Sequence, residues 1–229
     1  MNDRFTSLRR PAPAAYAATS VMDVASHKVL RNTYMLLAMT LAFSALAAGT
    51  SVALRLPHPG ILLTMVGYFG LLFLVNKYRD RGLGVALVFA LTGFMGYTLG
   101  PVLTHYLNMP NGTQTVMLAM GGTAAAFVGL SAYALVTKRD LSFMGGFLMV
   151  GILVAFLASL AAIFLQIPAL SLTISAVVVL LMSGMILYET NQIVRGGETN
   201  YVMATLSLFV SIFNLFTSLL HLLGFSSND

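Results

Sequence analysis

The chain has 229 residues, of which 58% are hydrophobic and only 8% are charged. Because a water-soluble domain carries about 25% charged residues, this composition excludes a soluble globular protein and predicts one that is embedded in a membrane. Cysteine is absent, which excludes disulfides and thiolate zinc sites. The net charge of +5 would fit nucleic-acid binding, but the placement of the charges, described below, argues for a different role.

The first 28 residues are polar and rich in Ala, Pro and Ser. Three arginines occur in residues 1–10, but no apolar core of the signal-peptide type follows them directly. Pro11 and Pro13 disfavour a helix at this point. We therefore predict a flexible cytoplasmic tail over residues 1–28, which is either solvated or bound by a partner. A short amphipathic turn near Val21–Val29 is compatible with this pattern.

Seven apolar runs follow the tail, and short polar loops connect them. The runs are Thr33–Leu54, Gly60–Val75, Gly82–Tyr106, Thr113–Thr137, Ser142–Leu165, Ala169–Tyr188 and Tyr201–Leu223. A membrane-spanning helix needs about 20 apolar residues. Six runs provide them, whereas the second must borrow Asn76–Tyr78 or cross a thinner part of the membrane. Because short loops join antiparallel neighbours, we predict an all-α integral membrane domain over residues 29–225. It would be a seven-helix up-down bundle, followed by an external tail at residues 226–229.

The basic residues are distributed unequally between the two sets of loops. Eleven of the 12 Lys and Arg residues precede the first apolar run or lie in the second, fourth and sixth loops, and only Arg55 falls elsewhere. Cytoplasmic loops of membrane proteins carry an excess of Lys and Arg. The pattern therefore predicts a cytoplasmic N-terminus and an external C-terminus, and it explains the basic charge without nucleic acid.

Small residues mark the third run as a packing element. Gly93, Gly96 and Gly100 fall on one side of the predicted helix, and the last two form a GxxxG spacing. Such a spacing lets two helices approach closely in a membrane. We favour this packing role over a pore-lining role.

The residues needed for common enzyme sites do not occur in suitable patterns. The histidines His27, His58, His105 and His221 show no metal-ligand spacing and have no carboxylate cluster beside them. The serines in the apolar runs lack a Gly-x-Ser-x-Gly segment. We predict no catalytic residue, no cofactor and no metal site, so the protein is not expected to be an enzyme. We interpret His221 as a solvated interfacial histidine.

The seventh run carries a stripe of polar residues. Its members, spaced by four, three, four and three residues, are Ser207, Ser211, Asn214, Ser218 and His221. This spacing puts them on one face of a helix. Because lipid offers no hydrogen-bond partners, the stripe must face protein or water.

Glu189, at the end of the sixth run, is the only acidic residue inside or beside an apolar run. It is either hydrated at the helix end, or buried if the helix continues through Val194. In the second case it lies about 9 Å before Arg195, at 1.5 Å per residue. Because an ionisable group inside a membrane indicates a functional site, we favour the second interpretation, a proton-sensitive gate.

Several of these segments resemble motifs of the Bax inhibitor 1 family, also called the transmembrane BAX-inhibitor-motif family. The segment Leu187–Ile193 resembles its LYDTQxI motif, Ser207–Phe216 its LYLDxxNLF motif and Thr137–Ser142 its TKRDFS motif. The segments Ser26–Tyr34 and Gly196–Tyr201 resemble its bacterial YccA branch. The likeness extends from about His27 to Phe225, and the order and spacing of the motifs make it specific.

The resemblance implies a seven-helix bundle whose seventh helix is central, in the bacterial inner membrane. It also implies two activities. Members of the family act as pH-sensitive calcium leak channels that use an aspartate pair on the sixth and seventh helices. Members of the YccA branch associate with the membrane AAA protease FtsH and restrain its attack on membrane proteins. A membrane scaffold without transport is a third alternative.

The aspartate pair is replaced in this chain. Glu189 stands at the first position and Ser211 at the second. Two carboxyl groups can share one proton, whereas a Glu–Ser pair forms only an ordinary hydrogen bond. This favours protease modulation over a calcium, cation or proton leak. We expect Glu189 to bind Ser211 across the last hairpin with Asn214 nearby, and we consider Lys77 and Arg79 as basic partners of the carboxyl group.

Overall fold

The computed structural model describes residues 13–165 and 167–226, which form seven α-helices joined by loops. The helices are α1 (Pro13–Ala53), α2 (Ile61–Tyr78), α3 (Gly82–Leu107), α4 (Gly112–Val136), α5 (Met144–Leu165), α6 (Pro168–Val194) and α7 (Tyr201–Ser226). Each contains a segment that is long and apolar enough to cross a membrane. The predicted all-α bundle with seven spanning helices is confirmed.

Two helix boundaries bear on the expectations from sequence. Helix α2 includes Asn76–Tyr78, so the short second run does borrow these residues. Helix α1 begins at Pro13, so residues 13–28, which we expected to belong to a flexible tail, are helical. Proline is well tolerated in a first helical turn, where its missing N–H is not needed, and the alanines after it favour helix. Residues 1–12 of the N-terminal tail predicted at 1–28, and residues 227–229 of the external tail predicted at 226–229, lie outside the described residues.

Helix α7 occupies the centre of the bundle. It packs against α1, α3, α4 and α6, while α2 packs on the outside of α3 and α5 on the outside of α6. The core side chains of α7 are almost fully buried, among them Leu208, Phe209, Leu215 and Leu220. The expected central position of the seventh helix is therefore what the structure shows. Chain neighbours do not always pair, however, because α1 packs chiefly against α3 and not against α2.

The close contact between α1 and α3 depends on the glycine side of α3. A Cβ atom added at Gly96 would overlap the carbonyl oxygen of Ser44 on α1, and one added at Gly100 would overlap the Ser51 hydroxyl. A Cβ atom at Gly93 would come within 2.6 Å of the Phe43 ring. Because glycine alone leaves room for the facing helix, the packing role predicted for these residues is confirmed.

Pro101 lies inside α3 and has no N–H to donate to the carbonyl group of Tyr97, four residues earlier. In a membrane such a carbonyl group must find another donor. The hydroxyl group of Ser51 on α1 donates a hydrogen bond of 3.1 Å to this oxygen. The contact between α1 and α3 thus provides a hydrogen-bond donor for the Tyr97 carbonyl group, which the proline leaves without one.

The loops that carry the basic residues come together at one end of the bundle, called here the basic end. Asn200 Nδ2 donates to the carbonyl oxygen of Arg79, at 3.3 Å, and joins the α6–α7 loop to the α2–α3 loop. The guanidinium group of Arg195 donates to the carbonyl oxygen of Lys138 in the α4–α5 loop. Gly196 lies beside the Ser26 hydroxyl of α1. The unequal distribution of charge along the sequence is therefore an unequal distribution between the two ends of the molecule.

We predict that Gly96→Ala destabilises the protein, because the added methyl group meets the backbone of α1. Overpacking of this kind costs about 1–3 kcal/mol of unfolding free energy. The measurement is thermal unfolding in detergent, where Tm should fall by several degrees. Gly121→Ala in α4 is the matched control, since nothing lies within 4 Å of a Cβ atom there. Equal Tm values for the two variants would contradict this account of the α1–α3 contact.

Candidate functional site

Glu189 is buried in the bundle, close to the basic end. Helix α6 continues to Val194, and Arg195 is its C-cap. This is the helix length that the buried interpretation required. Only 8% of the Glu189 side chain is exposed. The alternative interpretation, a hydrated carboxylate at a frayed helix end, is therefore wrong.

The structure places Ser211 of α7 opposite Glu189. The Ser211 hydroxyl group, 3% exposed, donates to Oε2 of Glu189 at 3.4 Å. This is longer than the usual hydroxyl hydrogen bond of about 2.7–2.8 Å, so the bond is weak. Ser207, one turn earlier on the same side of α7, is partly buried. One hydroxyl group of α7 thus faces a single carboxyl group of α6.

The two basic residues considered as partners of Glu189 are engaged elsewhere. Arg79 Nε lies 3.7 Å from Oδ2 of Asp80, and the Lys77 ammonium group lies 5.7 Å from the centre of the Tyr78 ring. In the described ranges, Arg79–Asp80 is the one ion pair. The expectation that Lys77 or Arg79 reaches Glu189 is therefore not met, because both side chains extend toward the α2–α3 loop. A buried carboxyl group without such a partner is less costly in its neutral form.

The remaining members of the stripe on α7 do not contact Glu189. Asn214 Nδ2 donates to the carbonyl oxygen of Val210 in its own helix, at 2.8 Å. Ser218 is partly buried farther from the basic end. His221 Nδ1 lies 2.8 Å from the hydroxyl oxygen of Ser175 on α6. His221, which we interpreted as a solvated interfacial residue, is thus half-buried and paired with a residue of α6.

Three consecutive residues of α6 connect it to three different parts of the molecule. Glu189 faces α7, and the next residue, Thr190, lies 3.4 Å from the Tyr34 hydroxyl group of α1 through its own hydroxyl oxygen. Asn191, 1% exposed, accepts a hydrogen bond of 3.2 Å from the N–H of Leu141 and donates one of 3.2 Å to the carbonyl oxygen of Arg139. Successive helical residues point about 100° apart, so one short segment of α6 holds α7, α1 and the α4–α5 loop.

Asp140 stabilises the α4–α5 loop through local hydrogen bonds. Oδ1 of Asp140 accepts hydrogen bonds from the N–H of Ser142, at 2.9 Å, and from its hydroxyl group, at 2.6 Å. These bonds stabilise the charged form and lower the pKa of Asp140. Leu141, between them, is buried. The segment Thr137–Ser142 is therefore held by hydrogen bonds of its own, and Asn191 binds it to the end of α6.

The sequence alone did not indicate that Asn191, Thr190 and Asn200 form part of the site. Asn200 caps α7, because its Oδ1 accepts from the N–H groups of Val202, at 3.0 Å, and Met203, at 3.1 Å. An asparagine directly before an apolar run is a readable capping signal. The roles of Thr190 and Asn191 could not be read from local pattern, since their partners lie 156 and about 50 positions away.

The arrangement can exchange a proton at one buried carboxyl group. Among the described residues no cluster of three or more His, Cys, Asp or Glu side chains could hold a metal ion. One carboxyl group and one hydroxyl group supply fewer oxygen ligands than the six to eight that calcium takes. The titratable group that the structure brings to this site is a single carboxyl group.

The sequence was compared with known proteins. The family model described as "Inhibitor of apoptosis-promoting Bax1" matches residues 26–228. The chain belongs to the Bax inhibitor 1 family. The Escherichia coli member named "Modulator of FtsH protease YccA" is 52% identical over 220 residues, which cover 96% of this chain and 99% of that relative. A Pseudomonas aeruginosa protein is 53% identical over 201 residues, covering 88% and 90%. A Vibrio cholerae membrane protein is 44% identical over 205 residues, covering 89% and 92%.

Membership of the Bax inhibitor 1 family gives the geometry of Glu189 its context. From the resemblance we expect an aspartate pair on the sixth and seventh helices. The structure has Glu189 and Ser211 at the two positions, with 3.4 Å between Oε2 of Glu189 and the hydroxyl oxygen of Ser211. At these two positions the structure has one carboxyl group that faces one hydroxyl group. A shared proton between two carboxyl groups has no counterpart here.

We predict that Asn191→Ala loosens the α4–α5 loop, because it removes both hydrogen bonds to Arg139 and Leu141. The population of the open loop should rise about tenfold, and trypsin should cut faster after Lys138 or Arg139 by a similar factor. Limited proteolysis of the purified protein measures this. Gln192→Ala is the matched control, since Gln192 binds Tyr188 of its own helix through its side chain. Equal cleavage rates for both variants would show that Asn191 does not hold the loop.

Proposed function

We propose that this protein is an inner-membrane modulator of the membrane AAA protease FtsH. The observation that carries the proposal is the 52% identity to the Escherichia coli protein of that name, over 96% of this chain and 99% of the relative. A further relative at 52% identity is named "Inner membrane protein YccA". We propose that the chain acts as a binding partner of the protease, without catalytic residues or a cofactor of its own.

The N-terminal part of α1 is the segment that we propose the protease engages. Helix α1 begins at Pro13, 20 residues before the first apolar run, which starts at Thr33. Residues 13–25 alone form about 20 Å of helix at 1.5 Å per residue. They lead up to Ser26, which lies beside Gly196 at the basic end. A helical arm of this length can meet a protein that sits on the same membrane face.

We predict that deletion of residues 2–25 leaves Tm in detergent nearly unchanged but alters turnover by FtsH and weakens co-purification with it. The segment ends before the first apolar run, which begins at Thr33, and its sequence contains few large apolar side chains. The measurements are the half-life of the protein in cells with and without the protease, and pull-down from solubilised membranes. Deletion of residues 2–12 alone is the matched control, because it keeps the helical arm. A large fall in Tm would show that the arm is part of the fold, and unchanged pull-down would contradict its role.

We propose that the basic end faces the cytoplasm, which puts the N-terminus inside and the C-terminus outside. Support comes from the concentration of Lys and Arg in the four segments that meet there, since basic loops are retained on the cytoplasmic side. The two tails would then be cytoplasmic at residues 1–12 and external at residues 227–229.

A reporter fused after Asp229 should therefore give an external signal, and one placed in the α4–α5 loop a cytoplasmic signal. Enzymatic reporters that are active on only one side of the membrane make the measurement. The loop fusion is the internal control. A cytoplasmic signal from both positions would contradict the proposed orientation.

A second candidate function is a pH-sensitive leak of calcium or protons. The observation that favours it is Glu189, buried without an ion pair and facing the Ser211 hydroxyl group. Gain or loss of one proton there changes the charge between α6 and α7, the helices that the family uses for gating. The single carboxyl group makes this candidate weaker than protease modulation.

We predict that Ser211→Asp increases pH-dependent calcium flux, because it restores two carboxyl groups that can share a proton. Glu189→Gln keeps the shape of the side chain but removes its titration, so it should abolish any pH response of the flux. The measurement is calcium uptake into liposomes from about pH 6 to pH 8. Ser218→Asp, on the same helix but away from Glu189, is the control. No additional flux in Ser211→Asp at any pH would contradict the leak.

A further inference from the structure

At the basic end, helices α1 and α4 flank a groove with a volume of about 710 Å³. Its lining consists of His27, Lys28, Leu30, Arg31 and Tyr34 from α1 and Leu135 from α4. We propose that this groove binds an anionic phospholipid of the surrounding membrane. The phosphate group would be held by Lys28 and Arg31, and an acyl chain would lie along the apolar wall. The inference is independent of any effect on the protease.

The charges of the groove favour an anion. Lys28 and Arg31 are three residues apart on α1, which places them on neighbouring positions of one helical face, and both side chains are exposed. None of the six lining residues is acidic. Each Lys or Arg near the surface of a membrane attracts anionic lipid. The effects of two such residues on the binding affinity multiply. Arginine can also bind two phosphate oxygens at once.

The position of the groove matches the level of lipid headgroups. Lys28 and Arg31 precede the first apolar run, which begins at Thr33, by less than two turns of helix. Leu135 lies at the end of α4, which closes at Val136. Farther into the membrane the two helices continue with exposed apolar side chains, Met35 and Met39 on α1 and Val128 on α4. The groove therefore leads from a basic headgroup region into hydrocarbon, which fits the two halves of a phospholipid.

Tyr34 connects this groove to the interior of the bundle. Its ring lies 5.8 Å from the Phe127 ring of α4, centre to centre, and its hydroxyl oxygen lies 3.4 Å from that of Thr190. Helices α1 and α4 thus meet through side chains and leave space above Tyr34. A lipid in this space touches a residue that contacts α6 next to Glu189. A spanning helix of another protein would have to offer acidic groups at headgroup level, whereas the anionic lipid is already present around the chain.

The test is native mass spectrometry of the full-length protein in detergent, titrated with phosphatidylglycerol and with phosphatidylcholine of the same acyl chains. Wild type should retain one phosphatidylglycerol in preference to phosphatidylcholine. Lys28→Gln/Arg31→Gln should weaken the binding of phosphatidylglycerol about tenfold or more, because two attractive charges are lost. Lys28→Arg/Arg31→Lys keeps both charges and should bind as wild type does. Unchanged Tm without lipid shows that the variants are folded.

Lys77→Gln/Arg81→Gln is the matched control, since it removes two basic residues of the same end that lie over the Tyr78 ring, outside the groove. It should retain the lipid. Equal affinity of wild type and the groove variant, equal loss in the control, or no preference over phosphatidylcholine would each overturn the proposal. So would displacement of the lipid by sn-glycerol 3-phosphate, which would indicate a soluble phosphate ligand. If the Lys28→Gln/Arg31→Gln variant bound the lipid as wild type does but no longer co-purified with the protease, the groove would be assigned to a protein partner instead.

Discussion

Polar groups inside a bilayer have no water to bind, so each one has to find its partner within the protein. This constraint decides the position of α7. The helix carries Thr205, Ser207 and Ser211 among large apolar side chains, and Thr205 and Ser211 are almost completely buried. Only the centre of the bundle surrounds such a helix with protein on several sides. Helices α2 and α5, whose exposed side chains are mostly apolar, can remain on the outside in contact with lipid.

The same constraint shapes the contact between α1 and α3. A proline in the middle of α3 leaves the Tyr97 carbonyl group without its helical partner. The glycine side of α3 lets α1 approach closely enough for Ser51 to donate to this oxygen. Close packing and hydrogen bonding therefore depend on each other, because without the glycines the serine would be held too far away.

At the basic end, the short segment from Glu189 to Asn191 joins the interior to the loops. Glu189 faces α7, Thr190 faces Tyr34 of α1, and Asn191 holds the α4–α5 loop. A change of charge at Glu189 would arise at a junction between a central helix and surfaces that a partner can touch. This physical connection suits a protein that regulates another protein. With one carboxyl group at the junction, the structure provides a place for a single proton and no second carboxyl group to share it with.

The sequence by itself determined the membrane environment, the seven spanning helices and the asymmetry of charge, because these follow from composition, run length and the positions of Lys and Arg. It also indicated the burial of Glu189 and its pairing with Ser211, through helical spacing and the family motifs. The tertiary structure alone decided that α1 pairs with α3, that Lys77 and Arg79 turn away from Glu189, and that Asn191 holds a loop about 50 positions away. Local sequence sets which face of a helix is polar or small. Which distant residue meets that face depends on how seven such helices pack together, and short-range patterns do not contain that information.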